Sequence, residues 1–330
     1  MLRIKKLANQ KELSFFGLPL AHWGTVCENG VQEKYFDIFP QTFEKKVLSK
    51  IVKQIPSGHD SVFLLRAGMG EAYVLSMLFK ALLEKQNLKS PCLVGLRPQY
   101  ADLCKMLFQN VPYYVINNNK DEMFQALRRK EILYKGILFN VNPSPLHELQ
   151  KTLAAVESGT DRRHYIDILC DFNGVKTFEP PAFYFVDNME RQIREKVKGI
   201  DFNKFVFIVS DANFVKNMPL DFWETLKRSL REKGFDVFFN DPRLSIPEAV
   251  YLAKKAKGIV SLRCGFSEIL STLSVKKFII QTACRWNDIK DMTAFLTLKK
   301  YPYVDASTIY EYDADKNDEN AIISDIVRNI

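Results

Sequence analysis

A short apolar run, Val62-Phe63-Leu64-Leu65, leads into Arg66-Ala67-Gly68-Met69-Gly70 and then the carboxylate Glu71, with a helix-like segment over 72–85 close behind. Strand, glycine loop and helix expose backbone N–H groups at a helix N-terminus, where the dipole favours an anion. Glu71 conflicts with a phosphate at that point. A carboxylate there can act as general base toward an acceptor hydroxyl. It can equally do no more than cap the helix, since acids are favoured in a first turn anyway.

Two loops in the second half repeat the pattern. The strand-like run at 204–210 enters the polar loop Asp211-Ala212-Asn213-Phe214-Val215-Lys216-Asn217-Met218-Pro219, ahead of an amphipathic helix with Phe222, Trp223, Leu226 and Leu230 on one face. Lys216 stands just before a helix N-terminus, where a cation is locally unfavourable. A bound pyrophosphate would explain it; a solvated loop lysine is the plain alternative. Further on, Gly258-Ile259-Val260-Ser261-Leu262 runs into Arg263-Cys264-Gly265-Phe266-Ser267-Glu268. Gly265 permits close backbone approach, Arg263 is a candidate phosphate clamp, and Glu268 either caps the helix or accepts from a sugar hydroxyl.

Alternating elements must position these loops. Strands are predicted at 61–65, 91–96, 112–116 and 135–140, and helices at 71–86, 99–109, 121–130 and 145–157. A second series has strands at 204–210, 235–239, 259–261 and 277–281, with helices at 219–233, 246–257 and 266–273. Such alternation argues for parallel sheets covered on both faces. Residues 1–60 read as a lead-in with one helix at 42–55. The change of unit falls near Glu179-Pro180-Pro181 and the charged stretch 187–198, giving domains 1–190 and 191–330. Two α/β halves imply a cleft, with ligands at the C-terminal strand ends.

The chain has 330 residues, 47% of them hydrophobic and 26% charged, which suits two globular domains. Its longest apolar runs are of strand length, far short of the ~20 residues that span a bilayer. Met1-Leu2-Arg3-Ile4-Lys5-Lys6 opens without the apolar core of a signal peptide. The six cysteines form no C-x-x-C pair and read as reduced thiols. The expected location is therefore cytoplasmic. The net charge of +8 points to a polyanionic neighbour or serves solubility alone. Without aromatic and basic residues interleaved to stack bases, a nucleic-acid partner is not expected.

The remaining candidates carry less. Asp313-Ala314-Asp315 matches a bare D-x-D string, but with no apolar strand in front it reads as a solvated turn before a final helix at 321–330. His22, His59, His147 and His164 are dispersed, and no metal site is expected. His22 is a candidate acceptor contact. Arg162-Arg163-His164 reads as an anionic-acceptor contact or a polar helix start. Phe15-Phe16-Gly17-Leu18-Pro19-Leu20, near Lys5, Lys6 and Lys11, would rest on a membrane surface or pack under the first domain.

These motifs together resemble the bacterial heptosyltransferase-like glycosyltransferases, whose GT-B fold sets two Rossmann-like domains across a cleft. Arg66-Ala67-Gly68-Met69-Gly70-Glu71 is similar to that family's Arg-x-Gly-x-x-Gly-Asp loop. The stretch 211–223 is similar to its lysine, proline and Phe-Trp helix face, and Cys264-Gly265-Phe266-Ser267-Glu268 to its Thr-Gly-x-x-His segment. Glu71 replaces aspartate, Arg263 stands where aspartate is usual, and Glu268 where histidine is usual. The resemblance implies an enzyme of lipopolysaccharide or capsule assembly, working at the inner membrane face. It would move a sugar from a nucleotide-sugar donor to a glycan or lipid-linked acceptor, with inversion and with neither metal nor cofactor. It further implies Glu71 as catalytic base, and Arg66, Gly68, Met69, Gly70 and His22 on the acceptor side. On the donor side it implies Asp211, Asn213, Lys216, Arg263, Cys264, Gly265, Phe266, Ser267 and Glu268. A non-catalytic nucleotide- or glycan-binding protein of the same fold is the alternative.

Overall fold

The computed structural model describes residues 2–7, 10–15, 18–28, 31–38, 40–65, 68–117, 127, 131–142, 155–156, 158–159, 161, 163–213, 215–285 and 292–330, with side chains from residue 44 onward except at 142 and 292. The lead-in is not a single helix. Strands β1 (Leu2–Leu7), β2 (Gln10–Phe15), β3 (Leu18–Glu28) and β4 (Val31–Ile38) form a four-stranded antiparallel meander before helix α1 (Pro40–Val52). The sequence carried one signal for it: Asn29-Gly30, between β3 and β4, is a strong hairpin dipeptide. His22 lies on β3, paired with Asp37 of β4.

The first parallel unit follows. Strand β5 (Ser61–Leu65) is buried along its length and feeds helix α2 (Met69–Gln86). Then come β6 (Pro91–Gly95), α3 (Tyr100–Leu107), β7 (Tyr113–Val115), β8 (Glu131–Tyr134) and β9 (Ile137–Asn142). The sheet order is β7-β6-β5-β9-β8, parallel except for β8 at one edge. All but Leu127 of the helix expected at 121–130, and all but Ala155 and Val156 of that expected at 145–157, lie outside the described residues. Helix α4 (Tyr165–Asn173) begins where Arg162-Arg163-His164 was read as an acceptor contact or a polar helix start, and helix α5 (Met189–Lys196) was not anticipated.

The second unit is regular. Strand β10 (Phe205–Val209), helix α6 (Leu220–Glu232), strand β11 (Asp236–Phe239), helix α7 (Ile246–Lys255), strand β12 (Gly258–Leu262), helix α8 (Gly265–Leu270), strand β13 (Lys276–Gln281), helix α9 (Met292–Leu296), strand β14 (Ile309–Asp313) and helix α10 (Glu319–Asn329) follow in turn. The sheet runs β11-β10-β12-β13-β14, all parallel. β10 and β12 are wholly buried, as strands covered on both faces must be. Strand β14 corrects the reading of the D-x-D string: an ordered strand does precede it. Asp313 ends that strand, Asp315 and Lys316 form an exposed turn, and Asp318 caps α10 by accepting from Ala321 N–H at 3.0 Å.

The units share one apolar core. Phe63, Tyr73 and Leu78 of the first belong to the same buried cluster as Phe207, Ile259 and Phe266 of the second. Helix α2 rests on α8, and α3 on α7. No helix among the described residues is long and apolar enough to cross a membrane.

Candidate functional site

In an open parallel sheet the ligand crevice lies where strand order reverses, beyond the carboxyl ends of the strands. In the second unit that point falls between β10 and β12. It is flanked by the loop at 210–219 and by Arg263-Cys264-Gly265. In the first unit it falls between β5 and β9, beside the Gly68–Gly70 stretch. The three loops singled out by residue type therefore stand at the two positions where the topology expects a ligand. Arg66 lies outside the described residues.

The loops meet. A Cβ built on Gly265 would stand 2.7 Å from the Gly70 backbone N and 3.5 Å from Met69 Cβ. One built on Gly70 would stand 2.1 Å from Glu268 Oε2. Only glycine lets the starts of α2 and α8 approach so closely. Gly68 caps α2 with extended backbone and no side-chain bond. Glu71, in the first turn, is partly exposed, and its Oε1 accepts from the Tyr165 hydroxyl at 3.0 Å.

Arg263, read from the sequence as a phosphate clamp, is 2% exposed. Its Nε donates to Leu296 O at 2.8 Å, Nη1 to Glu268 Oε1 at 2.8 Å and Cys264 O at 3.1 Å, and Nη2 to the Tyr301 hydroxyl at 3.2 Å. Burial pushes the Glu268 carboxyl upward, Arg263 pulls it back, and the nearby Glu71 charge adds to the rise. Burial opposes the Arg263 charge as well, but Glu268 and Tyr301 together offset it and hold the guanidinium above its ordinary range. Glu268 Oε2 is buried with no hydrogen-bond partner. Cys264 and Ser267 close the α8 start reciprocally. The Cys264 sulfur accepts from the Ser267 N–H, while Ser267 Oγ accepts from Cys264 N–H at 3.0 Å and donates to Cys264 O at 2.7 Å. Phe266 is in the core.

The loop at 210–219 differs, because its polar side chains face water. Asp211, Asn213 and Lys216 are exposed. Asn217 Nδ2 donates to Asp211 Oδ1 at 2.8 Å, and Asn217 Oδ1 accepts from Ala212 N–H at 3.2 Å. The loop is stitched to the end of β13: Lys216 N–H donates to Ala283 O at 2.9 Å, Thr282 Oγ1 donates to Lys216 O, and Arg285 Nε donates to Val215 O at 2.7 Å. Arg285 adds a second exposed cation that sequence reading missed; nothing before the fold was known placed it beside Lys216.

His164 settles the Arg162-Arg163-His164 reading for its own side chain. It caps α4, Nδ1 accepting from Ile166 N–H at 3.2 Å, while Nε2–H donates to Thr297 O at 2.8 Å. Arg163 pairs with Asp161 and Asp171; Arg162 lies outside the described residues. Burial, with the charges of Arg263 and Lys300, lowers the His164 imidazole to about 4. A depressed histidine contributes stability that is complete above the unfolded value of about 6.5 and is lost as pH falls toward 4. We expect urea-unfolding stability to drop by about 2 kcal/mol from this group between pH 7 and pH 5. His164→Asn keeps an acceptor for the cap and should flatten that interval. An unchanged slope in the variant would show that His164 is not the group titrating.

Among the described residues no group of three or more His, Cys, Asp or Glu side chains could hold a metal ion. The five cysteines with described side chains are free thiols.

No protein-family model matches the chain, and no curated protein matches its sequence. Solved structures do. A glycosyl transferase family 9 protein from Veillonella parvula matches at 10% identity over 81% of this chain and 96% of that one, with a TM-score of 0.52. The E. coli ADP-heptose LPS heptosyltransferase II matches at 7% identity over 81% and 97%, with a TM-score of 0.48. The Veillonella likeness is one of fold, and with the two parallel sheets it identifies the architecture as GT-B, two Rossmann-like units.

Proposed function

We propose that this protein is a glycosyltransferase. It moves a sugar from a nucleotide-sugar donor to a glycan or lipid-linked acceptor in bacterial surface polysaccharide assembly, without a metal and with inversion. The observation that carries the reading is the meeting of the loops. Glu71 stands at the first unit's switch point, partly exposed and held by Tyr165, against the start of α8 at the second unit's switch point. In this reading Glu71 takes the proton from the acceptor hydroxyl. That hydroxyl attacks the face of the sugar opposite the leaving group, which inverts the anomeric centre. Lys216 balances charge on the departing nucleoside diphosphate. With its N–H groups bonded inside the protein, Arg263 supports the loop by holding Glu268. Asp211 and Asn213 line the donor approach, and Gly68, Met69 and Gly70 the acceptor side. A basic chain acting on a lipid-linked acceptor suits the cytoplasmic face of an anionic membrane.

The test is direct. Melting temperature is measured with a panel of nucleoside diphosphates and nucleotide sugars, without metal and then with magnesium. A ligand at 100 times its Kd adds about 2.7 kcal/mol. Glu71→Gln should keep that stabilisation and lose about 10²- to 10⁴-fold in turnover. Full turnover in Glu71→Gln would overturn the mechanism. Two observations favour the second reading, a non-catalytic nucleotide- or glycan-binding protein: Arg263 and Glu268 neutralise each other in the interior, and Gly265 meets Gly70 directly. Nucleotide binding with no donor consumed on any acceptor would select it.

A further inference from the structure

We propose that Tyr165 is the positioning residue for the Glu71 carboxylate, and that the segment 293–301 of the second unit holds Tyr165 in place. The inference rests on the reading of Glu71 as acceptor base. Its geometry crosses both units. The Tyr165 hydroxyl donates to Glu71 Oε1 at 3.0 Å. The Tyr165 ring meets Phe295 edge-on, with centroids 5.8 Å apart at 69°. His164, the preceding residue, bonds Thr297 O at 2.8 Å and meets the Tyr301 ring at 5.7 Å and 86°. Phe295 and Leu296 are buried with Val156 and Ile168, and Tyr165 and Phe172 pack against that cluster. The same segment carries the buried arginine, since Leu296 O and the Tyr301 hydroxyl both accept from Arg263. Glu71 and Arg263 belong to different units, and this segment is the common support of both.

The chemical consequence follows from which lone pairs are used. Tyr165 occupies Oε1 and fixes the plane of a side chain that otherwise has several rotamers. Oε2 then has one defined direction in which to receive a proton. The other groups near Glu71 are Glu268 with its partner Arg263, Tyr301, and Tyr100 of α3, whose hydroxyl accepts from Arg97 at 2.8 Å.

The experiment uses the 330-residue chain with Tyr165→Phe, Phe295→Leu and Glu71→Gln, and measures kcat and the acceptor KM separately. In Tyr165→Phe, kcat should fall by about 10- to 100-fold with the acceptor KM little changed. Phe295→Leu should lower kcat by less, because the hydroxyl remains while its support is loosened. In a Glu71→Gln background Tyr165→Phe should cost nothing further, because the group it positions is gone. A folded Tyr165→Phe with the parent kcat overturns the inference, and so does a loss that persists in full in the Glu71→Gln background. If Tyr165→Phe does not fold, an unchanged kcat in Phe295→Leu overturns it instead. Failure of the underlying reading looks different: Glu71→Gln itself retains turnover.

Discussion

Arg263→Met should destabilise the protein by about 3–5 kcal/mol, the cost of breaking one side of a buried ion pair. The guanidinium is 2% exposed and bonded to a carboxylate, two backbone carbonyls and a tyrosine hydroxyl. Its removal leaves Glu268, 5% exposed and already carrying one unpartnered oxygen, with a charge that burial disfavours. The melting temperature should fall by an amount on the order of 5 °C. The pair itself is a different matter. Two charges withdrawn from water repay their desolvation only when the geometry is good, and apolar replacement of both is often near neutral. Arg263→Met with Glu268→Met should therefore recover most of the loss, short of what Leu296 O and Tyr301 forfeit. Urea unfolding of the two singles and the double measures the coupling. A single Arg263→Met costing under about 1 kcal/mol would contradict the buried pair.

Gly265→Ala is the second large effect. The added methyl meets Gly70 N at 2.7 Å, and a backbone atom cannot rotate away as a side-chain tip can. Relief requires the starts of α2 and α8 to part, which should cost about 1–3 kcal/mol. Gly70→Ala meets the Glu268 carboxylate at 2.1 Å, and that side chain is held by Arg263. It should cost a similar amount. Because separation made for one methyl also makes room for the other, the double variant should lose less than the sum of the singles. Gly68→Ala is the control, since it meets only the Glu71 carboxylate, at 3.0 Å. Strict additivity of Gly70→Ala and Gly265→Ala would show that the two loops do not press on each other.

How much of this was legible before the fold was known varies by element. The second unit reads off the sequence nearly whole, because its buried strands are bounded by unambiguous helices, such as that of Phe222, Trp223, Leu226 and Leu230. Strand β14 escaped because Ile309-Tyr310-Glu311-Tyr312-Asp313 alternates as an edge strand does and reads as polar. The meander escaped because its lysines and glutamates mask the alternation, although Asn29-Gly30 marked a turn. In the site, residue types placed the loops correctly at the strand ends. They could not say which way a side chain at a strand end points. Arg263 follows five buried residues and continues inward, whereas Lys216 lies in a polar loop and stays in water. Tyr165 and Tyr301 left no local signal. They reach the site from 94 and 38 residues away from the groups they bond.

The shared core has a consequence for biosynthesis. The face of α2 that rests on α8 is made early, and its cover is made late. Between the end of one helix and the start of the other, roughly 180 residues must be added, about 10–40 s at usual elongation rates. For that interval the face of α2 that α8 will cover has no partner from the second unit: the Tyr73 ring already stacks on Phe183, but its hydroxyl waits for Thr272. The first half should therefore gain the stability of that contact only when the second unit arrives.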